Sequence, residues 1–106
     1  MKLEVGMYVR TKRDGIGKII SFSIGEEDEC CFIELSKRRT GIKEHNILKA
    51  SHNIIDLIEV GDYVNGKKVY KENGKLFIEN WWLENIKIKS IVTKEQFESM
   101  SYKVGD

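Results

Sequence analysis

Apolar side chains in this chain recur at every second position more often than every third or fourth, which is the spacing of a strand with one buried face. Val5, Met7 and Val9 alternate with Gly6 and Tyr8. Arg13-Asp14-Gly15 follows, and Asp-Gly supplies the positive φ angles that a tight hairpin demands. Ile16, Ile20, Phe22 and Ile24 then mark one face of a second strand, and Cys31, Ile33 and Leu35 the inner face of a third. Between them Gly25-Glu26-Glu27-Asp28-Glu29 carries four like charges that repel one another, which predicts an exposed loop. Lys37-Arg38-Arg39-Thr40-Gly41 reads as a basic turn and Ile42 to Leu48 as short closing strands. Farther along, Asn65-Gly66 and Asn73-Gly74 signal turns, and Leu76, Ile78, Ile86 and Ile88 are strand positions. The alternation stops at Thr93-Lys94-Glu95-Gln96, a capping box in which Thr93 accepts from the backbone near Gln96 while Gln96 reaches back. With Val92 stapled against Phe97, one short helix is predicted over about Lys94 to Met100.

The pattern also repeats. Leu3-Glu4-Val5-Gly6-Met7-Tyr8-Val9 returns fifty-five positions later as Ile58-Glu59-Val60-Gly61-Asp62-Tyr63-Val64, with six of the seven positions identical or conservative. The copies end alike, since Glu44-His45-Asn46-Ile47-Leu48-Lys49-Ala50-Ser51 is echoed by Glu84-Asn85-Ile86-Lys87-Ile88-Lys89-Ser90 with one residue omitted after the Glu. Two related modules, 1–53 and 54–106, are the economical reading. Four or five short, strongly bent strands per module describe an SH3-like barrel. The predicted fold is therefore all-β, two tandem abbreviated SH3-like barrels with a short C-terminal helix, packed as one unit, with Tyr8 and Tyr63 on equivalent strands. No proline guards the edge strands, which leaves a homodimer contact open.

Composition narrows the function classes. The 106 residues hold 18 basic and 17 acidic groups, so long-range attraction to a charged partner is weak. Fourteen Ile and seven Val against one Ala favour strands. No stretch approaches the roughly 20 apolar residues of a membrane span, and Met1-Lys2-Leu3-Glu4 lacks a signal-peptide core, so a cytoplasmic protein without a membrane role is expected. Cys30 and Cys31 are neighbours whose side chains point to opposite faces of a strand, which disfavours a disulfide and suits a reducing compartment.

Candidate chemistry is sparse. Cys30, Cys31, His45 and His52 lack the Cys-x₂₋₄-Cys knuckle of a structural zinc site, and no flanking motif arms a Cys-His nucleophile, so neither metal nor cofactor is expected. Gly15-Ile16-Gly17-Lys18 lacks the spacing of a phosphate loop and is explained by hairpin glycines. The turn Lys37, Arg38 and Arg39, with Arg10, Lys12, Arg13 and Lys18, concentrates positive charge able to grip phosphates, although the loop Glu26 to Glu29 is placed to neutralise it. On a strand, Trp81-Trp82 should send one indole into the core and present the other as an interface anchor.

The run Val5 to Ile20, with Val-Gly-Met-Tyr-Val-Arg-Thr-Lys and then Gly-Ile-Gly-Lys-Ile-Ile, resembles the opening hairpin of SH3-like barrels of the KOW, Tudor and CarD kind, which implies binding of protein or nucleic acid. Asn53 to Val69 together with Ile88 to Glu98 resembles uncharacterised small proteins carried by phages and prophages of Gram-positive bacteria, which implies a mobile-element setting and no functional residue. The expectation is a non-enzymatic, phage-encoded protein in the host cytoplasm. It would occlude a surface on a host protein or protein–nucleic acid complex, in the manner of anti-defence inhibitors such as anti-CRISPR proteins, with Trp81, Trp82, Lys37, Arg38 and Arg39 as contact residues. Two rivals stand beside it: nucleic-acid binding through the Lys37 to Arg39 turn, and sequestration of a small anionic nucleotide by Arg38, Arg39 and an indole.

Overall fold

A computed structural model of the chain describes residues 2–22 and 31–100, with side chains as far as Glu98. They belong to two compact units, Met1–Leu57 and Ile58–Asp106, a division later than the expected 53/54 boundary.

In the first unit β1 (Tyr8–Thr11), β2 (Ile16–Phe22), β3 (Cys31–Glu34), β4 (Arg39–Ile42) and β5 (Ile47–Ser51) form one antiparallel sheet in the order β4-β3-β2-β1-β5. Val9, Ile19, Cys31, Ile33, Ile42 and Ile47 are buried on it, with Leu3, Met7, Leu35 and Ala50 packed alongside. The inner face read for β3 is thus occupied, and of that read for the first strand Val9 is buried and Met7 packs alongside, while Val5 precedes β1 and is exposed. The inner face read for β2 is not occupied, because Ile19 is the buried residue, Ile16 and Ile20 are half-buried and Phe22 is exposed. A register shift between Ile19 and Ser21 interrupts the alternation there, as an inserted residue does. Gly17 is needed because a Cβ would lie 2.9 Å from Ile33 Cδ1 and 3.0 Å from the Glu34 carbonyl oxygen. Ile24, Cys30 and the loop Gly25 to Glu29 lie outside the described residues.

Two turns depart from expectation. Gly15 alone takes a positive φ (77°) in the β1–β2 connection, which is wider than a two-residue turn and closed by Thr11. The Thr11 hydroxyl donates to the Gly15 carbonyl at 2.8 Å and accepts from the Asp14 N–H at 2.9 Å. Arg39 belongs to β4, so the β3–β4 turn spans Leu35 to Arg38, where the Leu35 N–H donates to the Arg38 carbonyl at 2.8 Å.

The unit ends where a buried charge holds it. Arg10 is fully buried, and its Nη1 donates to the Leu57 carbonyl at 2.8 Å, fastening the 3₁₀ turn Ile54–Leu57 to β1.

The second unit is built from β6 (Tyr63–Val64), β7 (Lys67–Lys68), β8 (Tyr70–Glu72), β9 (Lys75–Ile78), β10 (Trp81–Trp82), β11 (Ile91–Val92) and α1 (Lys94–Met100). Its strands form two three-stranded sheets, β11-β6-β7 and β10-β9-β8. Asn65-Gly66 and Asn73-Gly74 take positive φ at both residues and join β6 to β7 and β8 to β9 by two-residue turns. Ile58, Val64, Val69, Ile78 and Leu83 are buried. Ile86 and Ile88, read as strand positions, lie in a 3₁₀ turn exit and irregular chain instead. The helix starts as predicted: the Gln96 N–H donates to Thr93 Oγ1 at 3.2 Å and the Thr93 N–H to Gln96 Oε1 at 3.1 Å. Buried Asp62 adds a further anchor, accepting from the Glu59 N–H at 2.7 Å and the Lys94 N–H at 2.9 Å.

The fold is therefore not the expected all-β pair of closed SH3-like barrels. Closure requires hydrogen bonding between a sheet's two outermost strands. In the first unit those strands are β4 and β5, and no ladder joins them among the described residues. In the second unit, strands of two to four residues are divided between two small sheets and cannot wrap around a core. Three open antiparallel sheets and one helix result.

The repeat nevertheless extends to individual hydrogen bonds. Gly6 (φ 95°) and Gly61 (φ 98°) each shape a turn in which the next residue's N–H donates to Glu4 or Glu59 at 3.1 Å. The glycine N–H donates to Ile19 or Val69, whose own N–H returns to Met7 or Asp62 at 2.8 Å. Tyr8 pairs with Lys18 as Tyr63 pairs with Lys68, so the two tyrosines hold matching places. The 3₁₀ turns Glu44–Asn46 and Leu83–Asn85 also match, and they align Asn46 with Asn85 and Ile47 with Ile86 without the omitted residue.

Candidate functional site

The turns of the second unit set an aromatic row. The two-residue Asn73-Gly74 turn pairs Tyr70 with Phe77, and the connection Glu79-Asn80 pairs Phe77 with Trp82. Residues directly opposite on neighbouring strands share a face, so Tyr70, Phe77 and Trp82 line up across β8, β9 and β10. The Tyr70 and Phe77 rings stack with centroids 5.6 Å apart, and Trp82 meets Phe77 edge-on at 6.3 Å. Lys75, two residues before Phe77 and so on the same face, places Nζ 3.6 Å from the Trp82 ring centroid, a cation–π contact.

The row is fastened at one end. The Tyr70 hydroxyl donates to the Glu79 carbonyl, and Glu79 carboxylate and Lys67 amine lie 3.9 Å apart. Glu79 itself sits at φ 52°, a left-handed conformation that costs a residue with a Cβ about 1 to 2 kcal/mol. That strain lies immediately before the two tryptophans.

Both indoles face outward, Trp81 64% exposed and Trp82 40%. The expectation that one fills the core is corrected here. β10 lasts only two residues before the chain enters the 3₁₀ turn Leu83–Asn85, and it is Leu83 that turns inward, 1% exposed, near buried Ile78. Trp81 makes no ring contact among the described residues.

Lys37, Arg38 and Arg39 belong to the other unit. Arg38 Nη2 lies 2.7 Å from Asp14 Oδ1, and Arg39 Nη2 lies 3.3 Å from Glu34 Oε2. Lys37 has no ion-pair partner among the described residues. Cys31 is buried, His45 is exposed and His52 lies 2.8 Å from Glu4 Oε1. Among the described residues no three His, Cys, Asp or Glu side chains converge as metal ligands would.

No family model, curated protein or solved structure matches the chain. The SH3-like barrel, the phage setting and the inhibitor role expected above therefore find no support there, and the open sheets contradict the first of them.

Sequence reading pointed to the tryptophans but missed Tyr70, Phe77 and Lys75. The signal was present: once Asn73-Gly74 is taken as a two-residue turn, Tyr70 must face Phe77.

Proposed function

We propose that the chain is a non-enzymatic binding protein that grips a partner protein through the row Tyr70, Phe77 and Trp82, with Trp81 on the opposite face of the same sheet. The observation that carries this reading is the row itself, a contiguous set of aromatic rings left on the outside of a small sheet. Scattered apolar residues on a surface need no explanation, whereas large aromatics gathered in one place are the usual anchors of interfaces. A protein partner suits the ring geometry better than stacked bases. Tyr70 and Phe77 occupy one another's faces and Lys75 covers a face of Trp82, so the row offers ring edges and apolar bulk rather than open faces.

Because Trp82 is 40% exposed and outside the core, Trp82→Ala should cost no more than about 1 to 2 kcal/mol of stability. The same change should weaken partner binding by about 2 kcal/mol or more, close to thirtyfold. The test is affinity capture from nuclease-treated cell lysate with the wild type, Trp81→Ala and Trp82→Ala, followed by titration of the purified prey. A prey held by the wild type and by Trp81→Ala but lost with Trp82→Ala supports the reading. Prey held equally by all three proteins sinks it.

A further inference from the structure

We infer that the first unit carries a separate site for the phosphate backbone of nucleic acid, at the joined tips of its two hairpins. The β1–β2 connection bears Lys12 and Arg13, and the β3–β4 hairpin bears Lys37, Arg38 and Arg39. Arg38 reaches across to Asp14 at 2.7 Å, so the two tips are tied, and together they carry five cations and two carboxylates, Asp14 and Glu34.

The carboxylates orient these cations without using them up. A guanidinium has five N–H donors in a fixed fork. Asp14 engages Arg38 through one nitrogen, and Glu34 engages Arg39 through Nη2 and Nε, while the two arginine side chains remain 58% and 70% exposed. The remaining donors are held in place and face water, which reduces the entropy lost when a phosphate arrives. Lys12, Arg13 and Lys37 have no partner among the described residues and add point charges.

The support beneath them is stiff. The Thr11 hydroxyl closes the first tip with two hydrogen bonds, and the Leu35 N–H to Arg38 carbonyl bond closes the second. The second tip encloses an open concavity of about 460 Å³ lined by Glu34, Leu35, Ser36, Lys37, Arg38 and Arg39. The acidic run Glu26 to Glu29, expected to offset the turn, lies outside the described residues.

The test is fluorescence anisotropy of a labelled DNA duplex and its single strand with the full chain, across a salt series. Affinity should be micromolar or weaker, and log K should fall against log salt with a slope between about −3 and −4. Arg38→Ala with Arg39→Ala should lower affinity at low salt about tenfold and flatten the slope by about 2. Arg38→Gln with Arg39→Gln, checked for fold by circular dichroism, should do the same. Lys87→Ala with Lys89→Ala, in the other unit, and Trp82→Ala should leave the titration unchanged, which separates this site from the aromatic row. No binding at low salt, a slope untouched by the arginine pairs, or association with phosphatidylglycerol vesicles in place of DNA would each overturn the assignment.

Discussion

Arg10→Ala should cost the first unit about 3 to 5 kcal/mol, enough to leave most of it unfolded, since a domain of this size has little stability to spare. Arg10 is fully buried, and truncation removes both its packed stem and the donor that satisfies the Leu57 carbonyl at 2.8 Å. A buried acceptor without a partner is costly by itself, and the emptied volume adds to it. Arg10→Met keeps the stem and loses only the donors, so it should recover part of the difference. Urea titration followed by far-ultraviolet circular dichroism gives the loss, and amide exchange in β1 and the turn Ile54–Leu57 locates it. Exchange that rises in β1 alone would show that the bond does not fasten that turn.

Asp62→Ala should cost the second unit about 3 kcal/mol and free α1. One carboxylate oxygen accepts from the Glu59 N–H and the other from the Lys94 N–H, and Asp62 is fully buried. Hydrogen bonds to a charged acceptor are worth about 1.5 to 3 kcal/mol each, and the two half-buried donors left behind recover only part of that from water. The first unit suggests a finer variant. There Met7 stands in the place of Asp62, and its Sδ accepts from the Glu4 N–H at 3.2 Å. Asp62→Met should therefore keep the Glu59 turn and lose the helix anchor, so that amide exchange rises in α1 and much less at Glu59. A variant whose helix exchanges as slowly as the wild type would show that Thr93 and Gln96 suffice.

Features decided within a few residues were legible in the sequence. Asn65-Gly66, Asn73-Gly74 and the Thr93 to Gln96 capping box depend on local chemistry and formed where read. The repeat was legible too, because it rests on a turn whose glycine must take positive φ. Closure of a barrel was not, since it turns on whether β4 and β5 meet, and no short pattern encodes that. The inner face of β2 was misplaced because Gly17, whose missing side chain gives no apolar signal, shares the buried face with Ile19. For the candidate site, period-two alternation correctly separated Trp81 from Trp82. It could not foresee that β10 ends at once and hands the core position to Leu83.

The placement of the tryptophans has a spectroscopic consequence. Both lie in β10, and Met1–Leu57 contains none. Trp81, 64% exposed, already emits toward the long-wavelength end of the indole range, so unfolding has little shift left to produce there. Desolvation of Trp82 by an arriving partner has the opposite effect, moving the emission to shorter wavelength. The intrinsic fluorescence of this protein is therefore a weaker gauge of its folding than of whether the aromatic row is covered.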